Sequence, residues 1–454
     1  MTETLTETLA GIVGAGQVTT DPDVLDGRCI DHTGRYRGRA TALVRPGTAD
    51  EVAAVLRACR DAGAFVTVQG GRTSLVAGTV PENDDILLST ERLAHIDEVD
   101  TVERRVRVGA GATLAAVQRA AAAAGLLFGV DLAARESATV GGMASTNAGG
   151  LRTVRYGNMG EQVLGLDIAL PDGSVVHRHS EVRRDNTGYD LAALFVGAEG
   201  TLGVITGLDL RLHPTPTHRV TAICGFAGLD AVVDAGRAFR DLDGIAALEL
   251  IDARAGALTA EHLGVAAPVD GAWQLLIELA GDSDQTERLA QALEGADLVG
   301  EPAVGVDVIA QQRLWQVRES VAEVLGLFGP PLKFDVSLPL SAIREFATEA
   351  TGVIATQVPQ AIPVLFGHLG EGNLHLNVLR CPAEAEPALY AAMMALIAEC
   401  GGNVSSEHGV GSRKRDYVAM SRSEADIAAM RAVKAAFDPT GYLNPAVLFR
   451  RSRP

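Results

Sequence analysis

The run Phe366-Gly367-His368-Leu369-Gly370-Glu371-Gly372-Asn373-Leu374-His375-Leu376-Asn377 constrains this chain more than any other. Apolar residues lead into Gly370-Glu371-Gly372-Asn373 and resume after it, which predicts two antiparallel strands joined by a tight turn. With Leu369 and Leu374 closing that turn, His368 and His375 become the next cross-strand pair, on one face with Cβ atoms roughly 4.5–5.5 Å apart. Asn377 follows by two and joins that face. Two imidazoles at this spacing suit a divalent metal, and Ser406-Glu407-His408-Gly409 offers Glu407 as a carboxylate. Two histidines, one carboxylate and open positions describe a reactive metal site, not a closed structural one. A structural hairpin with stacked histidines is the competing reading. The gathering of three of the chain's ten histidines in these two segments favours the metal.

At 454 residues the chain is long enough for two or three domains. A net charge of −18 argues against nucleic acid or an anionic membrane surface as the main partner, yet permits an anionic substrate in a basic pocket. The start, Met1-Thr2-Glu3-Thr4-Leu5, lacks the basic region of a secretory signal. The longest obvious apolar run, Ala120 to Val130, has 11 residues where a membrane span needs about 20, so no transmembrane segment is expected. The five cysteines, Cys29, Cys59, Cys224, Cys381 and Cys400, are scattered. They fit reduced thiols of a cytoplasmic protein and leave nothing to hold an iron–sulfur cluster.

Along the chain, Thr41 to Arg45 predicts a strand, Asp50 caps an amphipathic helix to about Ala62, and Phe65 to Val68 is a second strand feeding Gln69-Gly70-Gly71-Arg72-Thr73-Ser74-Leu75. Arg105 to Val108 is a strand and Ala112 to Ala124 a helix ended by Gly125. Val163 to Leu170 and Ser174 to His177 form a hairpin about Pro171-Asp172-Gly173. After the strand Gly203 to Leu212, the segment His213-Pro214-Thr215-Pro216 is the best domain boundary. Beyond it, strands such as Trp273 to Leu279 alternate with amphipathic helices, which suggests an antiparallel sheet with helices on one side. Ser423 caps a final helix to about Phe437.

Two glycine patterns, Gly11-Ile12-Val13-Gly14-Ala15-Gly16 and Gly109-Ala110-Gly111, mimic a dinucleotide fingerprint but lack its last glycine. Three others follow different logic. The 69–75 loop comes after a buried strand and suits a pyrophosphate, with Thr73 and Ser74 adding hydroxyls. Ser137-Ala138-Thr139-Val140-Gly141-Gly142 through Asn147-Ala148-Gly149-Gly150 offers bare backbone to a planar ring or a phosphate. Gly197-Ala198-Glu199-Gly200-Thr201-Leu202-Gly203 is the third.

These segments, Gly70 to Leu75, Thr139 to Gly142, Asn147 to Gly150 and Gly197 to Thr206, resemble the FAD-binding domain of the vanillyl-alcohol oxidase/p-cresol methylhydroxylase flavoproteins. The hairpin run, Ser406 to Gly411 and Asp438-Pro439-Thr440-Gly441-Tyr442-Leu443-Asn444-Pro445 narrow the resemblance to FAD-linked D-2-hydroxyacid dehydrogenases, the D-2-hydroxyglutarate, D-lactate and glycolate group. It runs from about residue 40 to the C-terminus. It implies an α+β fold: a two-lobed FAD-binding domain over 1–216, an α+β cap on an antiparallel sheet over 217–404 carrying the substrate, and a segment over 405–454 returning to the FAD domain. It also implies FAD contacts from Gly70, Gly71, Arg72, Thr73, Ser74, Leu75, Ser137, Thr139, Gly141, Gly142, Asn147, Gly149, Gly150, Glu199, Gly200, Val204, Ile205 and Asn444. Some relatives attach the flavin through His or Cys near these loops. Residues 69–75 and 131–150 contain neither, so FAD is expected to be non-covalent.

The expected reaction takes a hydride from C2 of a D-2-hydroxyacid to flavin N5. A metal held by His368, His375 and Glu407, zinc first with manganese or iron as alternatives, would acidify the hydroxyl and fix C2. His408 is the expected base. Arg318 and Lys333 resemble family positions that bind substrate carboxylates, and Asn377 is a hydrogen-bond donor to substrate. Ala322, one turn after Arg318, departs from the hydroxyl residue of the hydroxyglutarate members and leaves the substrate's side chain open. The expected acceptor is an electron-transfer flavoprotein or a quinone, and a homodimer or peripheral membrane attachment is allowed. The alternatives are a non-catalytic flavin-binding subunit of a glycolate oxidase-like complex and a flavin-free zinc hydrolase.

Overall fold

A computed structural model describes residues 2–179, 182 and 185–450. The chain divides into two compact units, one of residues 1–149, 157–215 and 407–454, the other of residues 150–156 and 216–406.

The first unit holds two sheets with separate cores. In one, Ala40–Val44, Asp85–Ser89 and Val66–Gln69 lie parallel, with the two-residue strand Val18–Thr19 antiparallel at the edge. Helix Ala49–Asp61 turns Val52, Val55, Leu56 and Cys59 onto this sheet. Thr48, not Asp50, caps it: the Thr48 hydroxyl accepts the Glu51 N–H at 3.1 Å, and Asp50 is already in the first turn. The segment Gly11 to Val13 closes helix Thr2–Val13, so the first glycine pattern is a helix end and not a phosphate loop.

The second sheet of this unit is antiparallel, ordered Arg105–Gly109, Val204–Arg211, Val163–Ala169, Val175–Arg178. Leu114, Val117 and Ala121 of helix Leu114–Ala123 join its core. On its polar face His179 bridges Asp167 at 2.8 Å and Asp209 at 2.9 Å, and Arg107 approaches Asp209 at 3.2 Å. Burial alone would lower the His179 pKa, but the bonds to the two carboxylates raise it to about 9.

The C-terminal segment completes the parallel sheet's lobe. Val66 donates its N–H to Tyr442 O at 2.9 Å, and Asn444 returns its own N–H to Val66 O at 2.8 Å. The Asp438 carboxylate accepts the N–H groups of Tyr442 and Leu443 and pairs with Lys434 at 2.6 Å, which explains the Asp-Pro-Thr-Gly-Tyr-Leu-Asn run as a folded turn.

The second unit is built on seven antiparallel strands: Ala303–Gly305, His218–Phe226, Trp273–Gly281, Ile245–Asp252, Ile362–His368, Asn373–Leu379 and Leu332–Ser337. Helices cover both of its faces, not one as expected. Tyr390 of helix Glu386–Glu399 stacks on Phe334 with ring centroids 5.1 Å apart. On the opposite face Arg318 of helix Val308–Gly326 lies over the Phe366 ring at 4.7 Å. The reason is legible in strand Trp273–Gly281, whose residues are buried on both alternating sets.

Candidate active site

The histidine hairpin exists, with a register different from that expected. The turn is Leu369-Gly370-Glu371-Gly372, a short 3-10 segment ended by Gly372 at φ 71. His368 is therefore opposite Asn373, and His375 is opposite Phe366. The expectation placed the turn one residue too late, because the left-handed conformation at Gly372, not Asn373, reverses the chain. The two imidazoles remain on one face as diagonal neighbours, their ring centroids 5.2 Å apart and nearly perpendicular.

That face carries a line of polar residues between buried strands. Asp335 is opposite His375 and Lys333 is opposite Asn377. On the other side Glu249 is opposite His368. Glu249 is 1% exposed, accepts Arg318 Nε at 2.8 Å, and lies 2.6 Å from His368 Nδ1. Burial pushes its carboxyl up, but His368 and Arg318 outweigh that and hold it below the ordinary range. Because this carboxylate can only accept, the Nδ1 of His368 carries a proton toward it.

Arg318 is buried, not on a helix surface, and its two Nη groups meet no acceptor among the described residues. Lys333 is half-buried with no carboxylate paired to it among the described residues, and burial lowers its pKa. Asn377 is buried and donates to His375 O at 3.3 Å. Ala322, one turn beyond Arg318, is exposed. Two cations with unfilled donors on a buried face fit a carboxylate ligand.

The segment after residue 402 runs beside this sheet edge. Asn403 donates to Ser337 O at 2.9 Å and Ser406 to Asp335 Oδ2 at 3.0 Å. Glu407 and His408 follow directly, 3.5 Å apart. Asp335, His375, Glu407 and His408 each offer a ligand atom within 4.8 Å of the others. Two imidazoles and two carboxylates form a mixed N/O donor set that fits zinc, manganese or iron. His368 is outside that group, with Nδ1 held by Glu249. Sequence reasoning missed Asp335 and Glu249. Asp335 was detectable as the residue two after Lys333 on one strand, and Glu249 as an acid inside the otherwise apolar strand Ile245–Asp252.

In the first unit the glycine segments meet one another. A Cβ on Gly71 would sit 1.8 Å from Ser137 O, and one on Gly70 would sit 2.4 Å from Thr139 Oγ1. Arg72 has φ 57, and the N–H groups of Arg72, Thr73 and Ser74 meet no acceptor among the described residues. A side-chain-free cradle with three unfilled donors fits a cofactor pyrophosphate. Ser74 Oγ accepts from Val76 and Gly78, and Leu75 is half-buried beside it. Gly141 and Gly142 are not loop residues as expected but lie in helix Val140–Thr146, where Gly141 is needed because a Cβ there would strike Ala110 at 2.5 Å. Asn147 ends that helix at φ 52, followed by Gly149 and Gly150. Gly200 (φ 68) is pressed against Asn444 Nδ2, and Val204 and Ile205 are buried at the start of their strand. Asn444 is engaged structurally, accepting from Val68 N–H at 2.8 Å and donating to Glu199 O at 2.8 Å. The Glu199 carboxylate accepts the N–H groups of Val410 and Gly411, both at 2.8 Å.

The paired glycine cradle and the buried cationic face describe an FAD-binding oxidoreductase. Residues 40–178 match the model of the FAD binding domain, and residues 215–448 match that of FAD linked oxidases, C-terminal domain. The chain is 37% identical over 95% of its length to D-2-hydroxyglutarate dehydrogenase, mitochondrial, of Bos taurus, and covers 80% of that protein. It is 32% identical to D-2-hydroxyglutarate dehydrogenase of Stutzerimonas stutzeri, covering 98% of both. Its fold matches p-cresol methylhydroxylase with substrate bound at a TM-score of 0.82 and 17% identity, over 99% of this chain and 97% of the other. The chain belongs to the FAD-linked oxidase family, in the D-2-hydroxyacid dehydrogenase group with the vanillyl-alcohol oxidase/p-cresol methylhydroxylase fold. Among the described residues, no helix is long and apolar enough to cross a membrane.

Proposed function

We propose that this protein oxidises a D-2-hydroxyacid to the 2-oxoacid with FAD and a divalent metal, zinc first, and passes the electrons to an electron-transfer flavoprotein or a quinone. The observation that carries the reading is the pair of cations, buried Arg318 and half-buried Lys333, on the same sheet face as His375 and Asp335. Bound FAD supplies a two-electron acceptor and the metal a Lewis acid. Arg318 grips the substrate carboxylate with its Nη fork, and Lys333 adds a point charge. Asn377 orients the substrate from the strand opposite Lys333. His408 takes the hydroxyl proton on an imidazole nitrogen. Asp335, His375 and Glu407 would hold the metal, from the same group that contains His408, and His368, outside that group with Nδ1 on Glu249, would be a further ligand. Ala322 offers no hydroxyl at its position, which leaves the substrate's side chain open.

The test is anaerobic bleaching of the flavin by D- and L-hydroxyacids of varied side chain, before and after chelation. D-acids should bleach the yellow protein, and chelation should stop bleaching while the flavin stays bound. Undiminished bleaching of protein verified to be metal-free would remove the metal from the mechanism.

A further inference from the structure

The carboxylate of Glu199 has a partner that flavin binding alone does not explain. Its backbone is fixed from two sides: Glu199 donates to Ser145 O at 2.7 Å, and its carbonyl accepts Asn444 Nδ2 at 2.8 Å. The residue is held at φ 50, a left-handed conformation that non-glycine residues seldom adopt. This fixed backbone aims the side chain at residues 409–411. Oε1 accepts from Val410 and Oε2 from Gly411. Gly409, at φ 80, leaves no room for a side chain, since a Cβ there would lie 2.9 Å from Glu199 Oε2. On its other flank the same segment is bound to residues 76–77: Ser412 donates its N–H to Val76 O at 3.2 Å, and a Cβ on Gly411 would strike that oxygen at 2.1 Å. Glu407 and His408 are covalently joined to the clamped stretch.

We infer that Glu199 is a positioning residue, whose carboxylate fixes the Glu407–His408 segment against the glycine loops of the FAD-binding unit. Each of the two N–H groups is met by its own carboxylate oxygen. A glutamine presents only one, so its NH2 must face an N–H and push the segment away. Aspartate keeps both oxygens on a side chain one methylene shorter. The inference rests on the reading that Glu407 and His408 serve the metal and the base, and goes beyond it by naming what places them.

The experiment compares full-length wild type, Glu199→Gln and Glu199→Asp for flavin content, zinc affinity after chelation, kcat and KM in flavin bleaching, and amide hydrogen exchange at Val410 and Gly411. Glu199→Gln should retain flavin, exchange faster at those amides, and lose zinc affinity and kcat by about 10–100-fold, as removal of an orienting partner does. Glu199→Asp should recover part of the loss. Unchanged exchange and zinc affinity in Glu199→Gln overturn the inference. So does a loss of flavin and thermal stability in both variants with zinc affinity per folded molecule intact. A wild type that takes up no divalent ion overturns the functional reading instead, and amide exchange still decides the role of Glu199.

Discussion

Replacing Glu249 by glutamine tests the polar face at its least replaceable point. The carboxylate serves Arg318 Nε at 2.8 Å and His368 Nδ1 at 2.6 Å while 1% exposed. Glutamine keeps its volume and loses one acceptor and the charge. If the amide oxygen stays with Arg318, the NH2 faces His368 and forces the imidazole proton from Nδ1 to Nε2. That tautomer cannot ligate a metal through Nε2. Arg318 meanwhile becomes a buried guanidinium with a neutral partner. A hydrogen bond to a charged group is worth about 1.5–3 kcal/mol and a neutral one about 1, so two weakened bonds cost roughly 1–4 kcal/mol of stability. Breaking the pair outright, as alanine would, costs about 3–5 kcal/mol. The assay is thermal melting together with zinc titration and substrate-dependent flavin bleaching. Glu249→Gln should fold with a lowered melting temperature, lose zinc affinity by about 10–100-fold, and show a raised KM from a misdirected Arg318. A variant that melts lower but binds zinc and substrate like wild type refutes the tautomer argument and leaves Glu249 a purely structural acid.

Other outcomes follow from the same geometry. Lys333→Met should raise the melting temperature, because it removes a half-buried ammonium with no paired carboxylate among the described residues, and should raise KM at least 10-fold for carboxylate substrates; a stabilised variant with unchanged KM removes Lys333 from the substrate. His408→Gln should lower kcat about 10²–10⁴-fold with flavin content unchanged, as loss of a general base does; near-normal kcat refutes the base assignment. His179 has a folded pKa of about 9, above the unfolded value near 6.5, so its stabilisation is complete below about 6.5 and fades as pH rises through about 9. His179→Gln should therefore lower stability on the order of 2 kcal/mol near pH 6 and flatten the alkaline fall in melting temperature. An unchanged alkaline slope in that variant refutes the bridge between Asp167 and Asp209.

The sequence made local patterns legible and long-range partners not. His368 and His375 were found as a same-face pair because strand periodicity survives a wrong turn, but the register depended on which residue adopts a left-handed conformation. Helix Glu424–Phe437 began where Ser423 predicted, since its capping box is contained within four consecutive residues. The glycines at 141 and 142 read as loop because glycine disfavours helices, and only the approach of Ala110 to Gly141 and of the Thr139 hydroxyl to Gly142 explains them inside one. Glu249 was out of reach for another reason. Its partners are 69 and 119 residues away, and nothing in the intervening sequence announces them.

The return of Tyr442–Asn444 to Val66 has a consequence for how the protein matures. Val68 donates its N–H to Asn444 Oδ1 across 376 positions of sequence, so the lobe bearing the first glycine loop is not sealed until residues 442–444 have been made and have docked. Contacts of such high sequence separation form late, after their loop-closure entropy has been met. Strand Val66–Gln69 therefore waits for its last backbone partners, and the loop that follows it is among the later parts of the lobe to settle.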